Sequence, residues 1–177
     1  MKATKSMAVI YEDAEARQTA VAFCDCLIKR FWDDFDFDVS WSQFDALEAT
    51  DTAREAAAKA SEANFVVVAA RFGPAMPTRT LANWVELWLE TRGYREGALV
   101  GLPSAEAASG FETTAFSLYL RTVAHRAGMD YVSEVPQGLS HHIPESVDSC
   151  CERAKQVTSV LDEILHAPHP RVTLPLS

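Results

Sequence analysis

Three carboxylates and one arginine define the most reactive-looking neighbourhood in this chain. Glu12, Asp13 and Glu15 follow the first hydrophobic run, Ser6–Tyr11, directly at the start of a helix. A turn from strand to helix is where a phosphate is ordinarily held, because glycines or hydroxyls let backbone N–H groups approach it. Here the turn reads Tyr11-Glu12-Asp13-Ala14-Glu15, and the first glycine of the chain is Gly73. A carboxylate about 4 Å from a phosphate repels it by roughly 1 kcal/mol in water, and more once water is removed. Tight phosphate binding at this turn is therefore not expected. Arg71, at the end of a later apolar run, is the cation placed to neutralise Glu12 and Asp13, provided that the two strand ends are neighbours.

Other groupings carry less. Asp34, Asp36, Asp38 and Asp45 have calcium-loop spacing, but Val39 stands where that loop needs glycine. The intervening aromatics alternate as in a strand, so a solvated strand face is the reading and no metal is assigned. Cys24 and Cys26 share one helix and Cys150 and Cys151 another, without Cys-x-x-Cys spacing; buried free thiols follow. Ser104 sits in Gly101-Leu102-Pro103-Ser104-Ala105, which lacks a nucleophile elbow. His141 and His142 follow the fifth strand, and His141 is the one that can line a binding mouth. No catalytic residue is assigned.

The elements that must position these groups alternate in period. Strand-like runs fall at Ser6–Tyr11, Phe35–Trp41, Phe65–Ala70, Ala98–Leu102 and Tyr131–Val135, with helical periodicity between them. Thr52 and Glu55 have capping-box spacing and open an alanine-rich helix to about Glu62; Ser109 and Glu112 have the same spacing. Trp84 and Trp88 lie on an apolar helical stripe and read as core. Pro144 begins the last helix. Regular βα alternation implies a parallel sheet covered on both faces. The first, third and fourth strands are continuously apolar, as central strands are, whereas the second and fifth alternate, as edges do. The order 2-1-3-4-5 follows: an α/β, doubly wound, five-stranded parallel sheet in a three-layer sandwich. Residues 1–166 form one domain and 167–177 a proline-rich tail.

That order resembles the flavodoxin and NAD(P)H-dependent FMN reductase group, and also the receiver domains of response regulators. The segment Phe72-Gly73-Pro74-Ala75-Met76-Pro77-Thr78-Arg79-Thr80-Leu81-Ala82-Asn83-Trp84 is similar to the reductases' third strand-to-helix connection. In that group it lies along the flavin ring, which implies ligand contacts for Phe72, Thr78 and Arg79. The acidic first turn departs from the group's FMN-phosphate loop. In receiver terms, Glu12 and Asp13 resemble the acidic pair after the first strand, and Ser104 the small hydroxyl residue after the fourth. The phospho-accepting Asp is replaced in Ala69-Ala70-Arg71, and the lysine after strand five in Glu134-Val135-Pro136.

The expected function is thus a non-catalytic flavodoxin-like domain that works through an unknown protein partner or a non-phosphorylated small ligand. No cofactor is expected in that reading. The ligand-binding candidates are Tyr11, Glu12, Asp13, Arg71, Phe72, Thr78, Arg79, Ser104 and His141. The alternatives are a divergent flavin- or quinone-linked oxidoreductase, in which FMN would be held through Arg71 or Arg79, and a receiver-like signalling domain without phosphate. A net charge of −9 over 177 residues argues against nucleic acid and anionic membranes. With no signal-like start or spanning run, the cytoplasm is the expected location, and a homo-oligomer remains open.

Overall fold

The computed structural model describes residues 1–71, 77–93, 95–103 and 115–133. The described residues build the expected α/β sandwich. Strands β1 (Ala3–Tyr11), β2 (Phe35–Gln43), β3 (Phe65–Ala70), β4 (Ala98–Pro103) and β5 (Asp130–Ser133) form one sheet in the order β2-β1-β3-β4-β5. All four pairings are parallel. Helices α1 (Ala14–Phe31), α2 (Thr50–Glu62), α3 (Arg79–Arg92) and α4 (Ala115–Ala127) connect successive strands.

Every residue of β3 and β4 is buried, as their unbroken apolar sequence requires. The two faces have separate cores. Even-numbered positions of β1, such as Ala8 and Ile10, pack with α2, α3 and α4. Odd-numbered ones, Met7 and Val9, pack with Phe23, Cys24 and Leu27 of α1. Trp84 and Trp88 stack at 5.7 Å, each only 1% exposed, so these indoles are core. No described helix is long and apolar enough to cross a membrane.

Helix α2 begins earlier than its sequence implies. Its N-cap is Ala49, which offers no side-chain cap, and the Thr52–Glu55 pair lies inside the helix. The chain enters α2 from a short 3-10 turn, Asp45–Glu48, whose buried Leu47 anchors the entry. Tertiary packing outweighs the capping signal here. The Ser109–Glu112 pair, the last helix, Cys150, Cys151 and the tail lie outside the described residues.

The amino edge of the sheet is stitched together by side chains. Asn64 accepts from the Ser6 N–H at 3.0 Å, and its carbonyl accepts from the Ala98 N–H at 3.0 Å, tying β1 to β4 across β3. Arg92, 5% exposed, donates through Nη1 to the carbonyls of Ala60, Ser61 and Ala63 at 3.2, 3.4 and 3.0 Å. Its Nη2 donates to Arg95 and Glu96 at 2.9 and 3.0 Å. The Nη1 contacts supplement the last turn of α2, where the Ala60 carbonyl also accepts from the Ala63 N–H. Burial lowers the guanidinium to about 10, so it stays charged at neutral pH.

Candidate functional site

The carboxyl edge of the sheet is built differently. Parallel α/β sheets present their ligand crevice there, where neighbouring strands diverge into different helices. Between β1 and β3, the backbone continues one step past the last paired residues: the Glu12 N–H donates to the Ala69 carbonyl at 3.0 Å. That bond fixes the first turn against the end of β3. The Glu12 carboxylate then accepts from the Arg71 N–H at 2.7 Å. An incoming anion would need that backbone donor, and the protein's own carboxylate occupies it.

Asp13 does two things at once. One oxygen, Oδ1, accepts from the Ala16 N–H at 2.9 Å, which caps α1. The other, Oδ2, lies 3.3 Å from Arg71 Nε. Glu15 reaches the same guanidinium at 4.0 Å. Of the two acids expected beside the Arg71 guanidinium, Asp13 pairs with it and Glu12 bonds the Arg71 backbone N–H instead, while Glu15 adds the longer contact. Arg71 remains 57% exposed along its side chain, so this is a solvent-screened cluster.

Tyr11, at the end of β1, meets Trp41 edge-on at 6.4 Å, and Arg17 lies 5.4 Å from the Trp41 ring centre. Of this aromatic–cation corner, Tyr11 is an expected ligand contact and Trp41 and Arg17 are not; the sequence signal for them is the placement of Arg17 one helical turn beyond Asp13. The corner therefore carries three acids, Glu12, Asp13 and Glu15, against two cations, Arg17 and Arg71.

The N-terminus of α3 has the opposite character. Thr78 caps it, accepting from the Leu81 N–H at 3.4 Å. The first turn contains no acid, and exposed Arg79 occupies its first position. Helix-dipole charge and side-chain charge have the same sign here, so this end is electropositive. Of the remaining candidates, Phe72, Ser104 and His141 lie outside the described residues. Asp36 and Asp38 occupy successive exposed positions of β2. Cys24 is buried, and desolvation with the nearby Asp25 charge pushes its thiol up to about 12, so it holds no thiolate at neutral pH.

No family model matches the chain, and no curated protein matches its sequence. Solved structures do match its fold. A flavodoxin from Streptococcus pneumonia TIGR4 aligns with TM-score 0.54 and 15% identity, over 89% of this chain and 99% of its own. An azoreductase from Bacillus anthracis aligns with TM-score 0.52 and 11% identity, over 90% and 99%. A short-chain flavodoxin associated with a PDU bacterial microcompartment aligns with TM-score 0.50 and 12% identity, over 89% and 98%.

These matches correct the expectation that the chain takes no cofactor, because solved structures that align with its fold over about nine-tenths of its length include flavodoxins and an azoreductase. That expectation generalised from one turn. Carboxylates at β1–α1 oppose a phosphate there, but they do not close the rest of the carboxyl edge. With its strand order, parallel pairing and alignment over nine-tenths of its length, this chain has a flavodoxin-like fold in divergent form.

Proposed function

We propose that this chain is a divergent flavin-linked redox protein that holds its ligand by the ring and not by a phosphate in the first turn. The observation carrying this reading is that the first turn's carboxylates occupy the backbone donors beside it: Glu12 the Arg71 N–H just past β3, and Asp13 the Ala16 N–H of α1. Both donors are of the kind that a phosphate loop leaves open. The ring lies at the carboxyl edge beyond β1 and β3. Any acidic substituent is directed toward the electropositive start of α3 at Arg79, away from the acids of α1.

The flavin supplies hydride or electron chemistry when bound. The chain's own contribution is to orient the ring and to set the charge around it. In this reading Arg71, already held by Asp13, is the cation paired with the first turn's acids and the residue that tunes local charge.

Riboflavin and FMN carry the same ring and differ by the phosphate, so they separate the two modes of anchorage. Both should quench on titration into the purified protein. Their dissociation constants should agree within about tenfold, equivalent to about 1.4 kcal/mol. Failure of both to bind would end the flavin reading. FMN binding more than about a hundredfold tighter than riboflavin would restore the phosphate as the anchor and refute the ring-held mode.

A further inference from the structure

Strand β2 lies at the edge of the described sheet and has an unusual internal symmetry. It runs for nine residues, Phe35-Asp36-Phe37-Asp38-Val39-Ser40-Trp41-Ser42-Gln43, with neither glycine nor proline, and Val39 is its midpoint. Its backbone directions are fixed by its pairing with β1. The Phe44 N–H donates to the Tyr11 carbonyl at 2.9 Å, and Tyr11 is in register with Gln43. Even-numbered residues therefore turn their N–H and C=O groups toward β1. The odd-numbered ones, 35 to 43, turn theirs toward the open edge.

Side chains divide in the same way. Phe35, Phe37, Val39 and Trp41 rest half-buried against the α1-side core. Asp36 and Asp38 are exposed on the opposite face, followed there by half-buried Ser40 and Ser42. Acids thus fill the first half of that face and hydroxyls the second.

We propose that β2 is a homodimerisation edge, pairing antiparallel with β2 of a second copy about a two-fold axis through Val39. In this register Phe37 faces the partner's Trp41, a favourable aromatic cross-strand pair. Asp36 faces the partner's Ser42, whose hydroxyl can donate to it, and Asp38 faces the partner's Ser40, whose hydroxyl reaches it by turning from the Met7 carbonyl to which it donates at 3.4 Å. All five outward-facing residues of each strand find outward-facing partners. Moving the axis one residue toward the amino end centres it on Asp38, which then opposes its own copy, and one further, on Phe37, sets Asp36 against Asp38; in both, like charges are directly opposed. Moving it one residue the other way centres it on Ser40, and one further on Trp41; these set Asp36 or Asp38 against Phe44, beyond the strand, and leave Phe35 and Asp36 without partners in it. Exposed acids normally guard an edge against such pairing. Here they leave one register favoured, and it is the one that pairs the strand end to end. The surface suits a second copy better than a foreign strand, because the acid half of one copy complements the hydroxyl half of the other. This inference is independent of the ligand.

Sedimentation of the full chain from roughly 1 μM to 1 mM, the span of moderate to weak affinity, tests it. The expected result is a reversible, concentration-dependent dimer. Val39→Pro removes an N–H that β1 does not use, so it should give a folded monomer throughout. Ser42→Lys places a cation opposite Asp36 twice per dimer, and Ser42→Asp places an acid there twice. The first should tighten and the second loosen association by roughly two- to thirtyfold. A wild type that stays monomeric over the whole range overturns the proposal. So does a folded Val39→Pro protein that still dimerises. If Val39→Pro does not fold, the Ser42 pair decides, and shifts of both variants in the same direction overturn the register.

Discussion

Two arginines, Arg71 and Arg92, sit at opposite ends of the sheet and are used in opposite ways. Arg92 is buried at the amino edge and, among the described residues, bonds to five backbone carbonyls, from the end of α2 and from residues 95 and 96. Arg71 is exposed at the carboxyl edge and pairs with side-chain carboxylates. The first is held through Nη1 and Nη2 by backbone acceptors that cannot turn away. The second is held by partners that can turn away into water. The amino edge thus behaves as structure and the carboxyl edge as an adjustable electrostatic surface, the division expected where ligands enter a parallel α/β sheet.

The sharpest way to break this comparison is to remove Arg92. Arg92→Met keeps much of the apolar stem but withdraws a donor from five carbonyls, of which that of Ala60 keeps the Ala63 N–H and those of exposed Arg95 and Glu96 are open to water. With each unsatisfied group costing about 1–3 kcal/mol and some recovered by water, a loss of roughly 3–5 kcal/mol is expected. Urea denaturation would measure it as a lower midpoint with an unchanged slope. A loss below about 1 kcal/mol would mean that the amino edge is no more rigid than the carboxyl edge. Arg71→Ala is the matched experiment. Its ion pairs are exposed, and the Glu12 bond goes to the backbone N–H, which alanine retains. The same measurement should therefore give less than about 1 kcal/mol.

The two arginines also differ in how visible they were beforehand. Arg71 was legible because the strand patterns set the order 2-1-3-4-5, and that order brings the ends of β1 and β3 together. Once the neighbours are known, a cation beside Glu12 and Asp13 has an evident partner. Arg92 had no such signal, since carbonyl acceptors exist at every residue and carry no sequence pattern. Gly97 is the nearest thing to a trace: a Cβ there would lie 2.6 Å from the Asn64 carbonyl oxygen and 2.9 Å from Arg92 Nη2. The central strands were readable for a stronger reason, because burial on both faces demands unbroken apolar runs such as Phe65–Ala70. The start of α2 was misread because the Thr52–Glu55 spacing is local, whereas the 3-10 turn and Leu47 that fix the entry are tertiary. The cofactor expectation failed through scale, by letting one acidic turn speak for an entire edge.

Asp13 is the place where stability and ligand charge can be separated, because its two carboxylate oxygens have different partners. Oδ1 caps α1 through the Ala16 N–H, and Oδ2 engages Arg71. Asp13→Ser keeps an oxygen able to cap but removes the charge. Asp13→Ala removes both, and should be the less stable of the two by about 1 kcal/mol, the ordinary worth of an N-cap. Binding should move independently of that difference. In Asp13→Ser one repulsive carboxylate has gone and Arg71 has lost its closer partner, so a phosphate near the first turn meets less opposition. One such charge is worth roughly 1 kcal/mol at about 4 Å in water, about fivefold in affinity. With the phosphate directed toward Arg79 of α3, FMN and riboflavin should keep their affinity ratio in Asp13→Ser to within about twofold, whereas a phosphate at the first turn would gain the full fivefold, roughly. Parallel flavin-quenching titrations of wild type and variant give that ratio directly. A fivefold gain for FMN would place the phosphate beside Asp13 and refute its direction toward α3; an unchanged ratio leaves the acids of α1 as a helix cap that keeps phosphate away from the first turn.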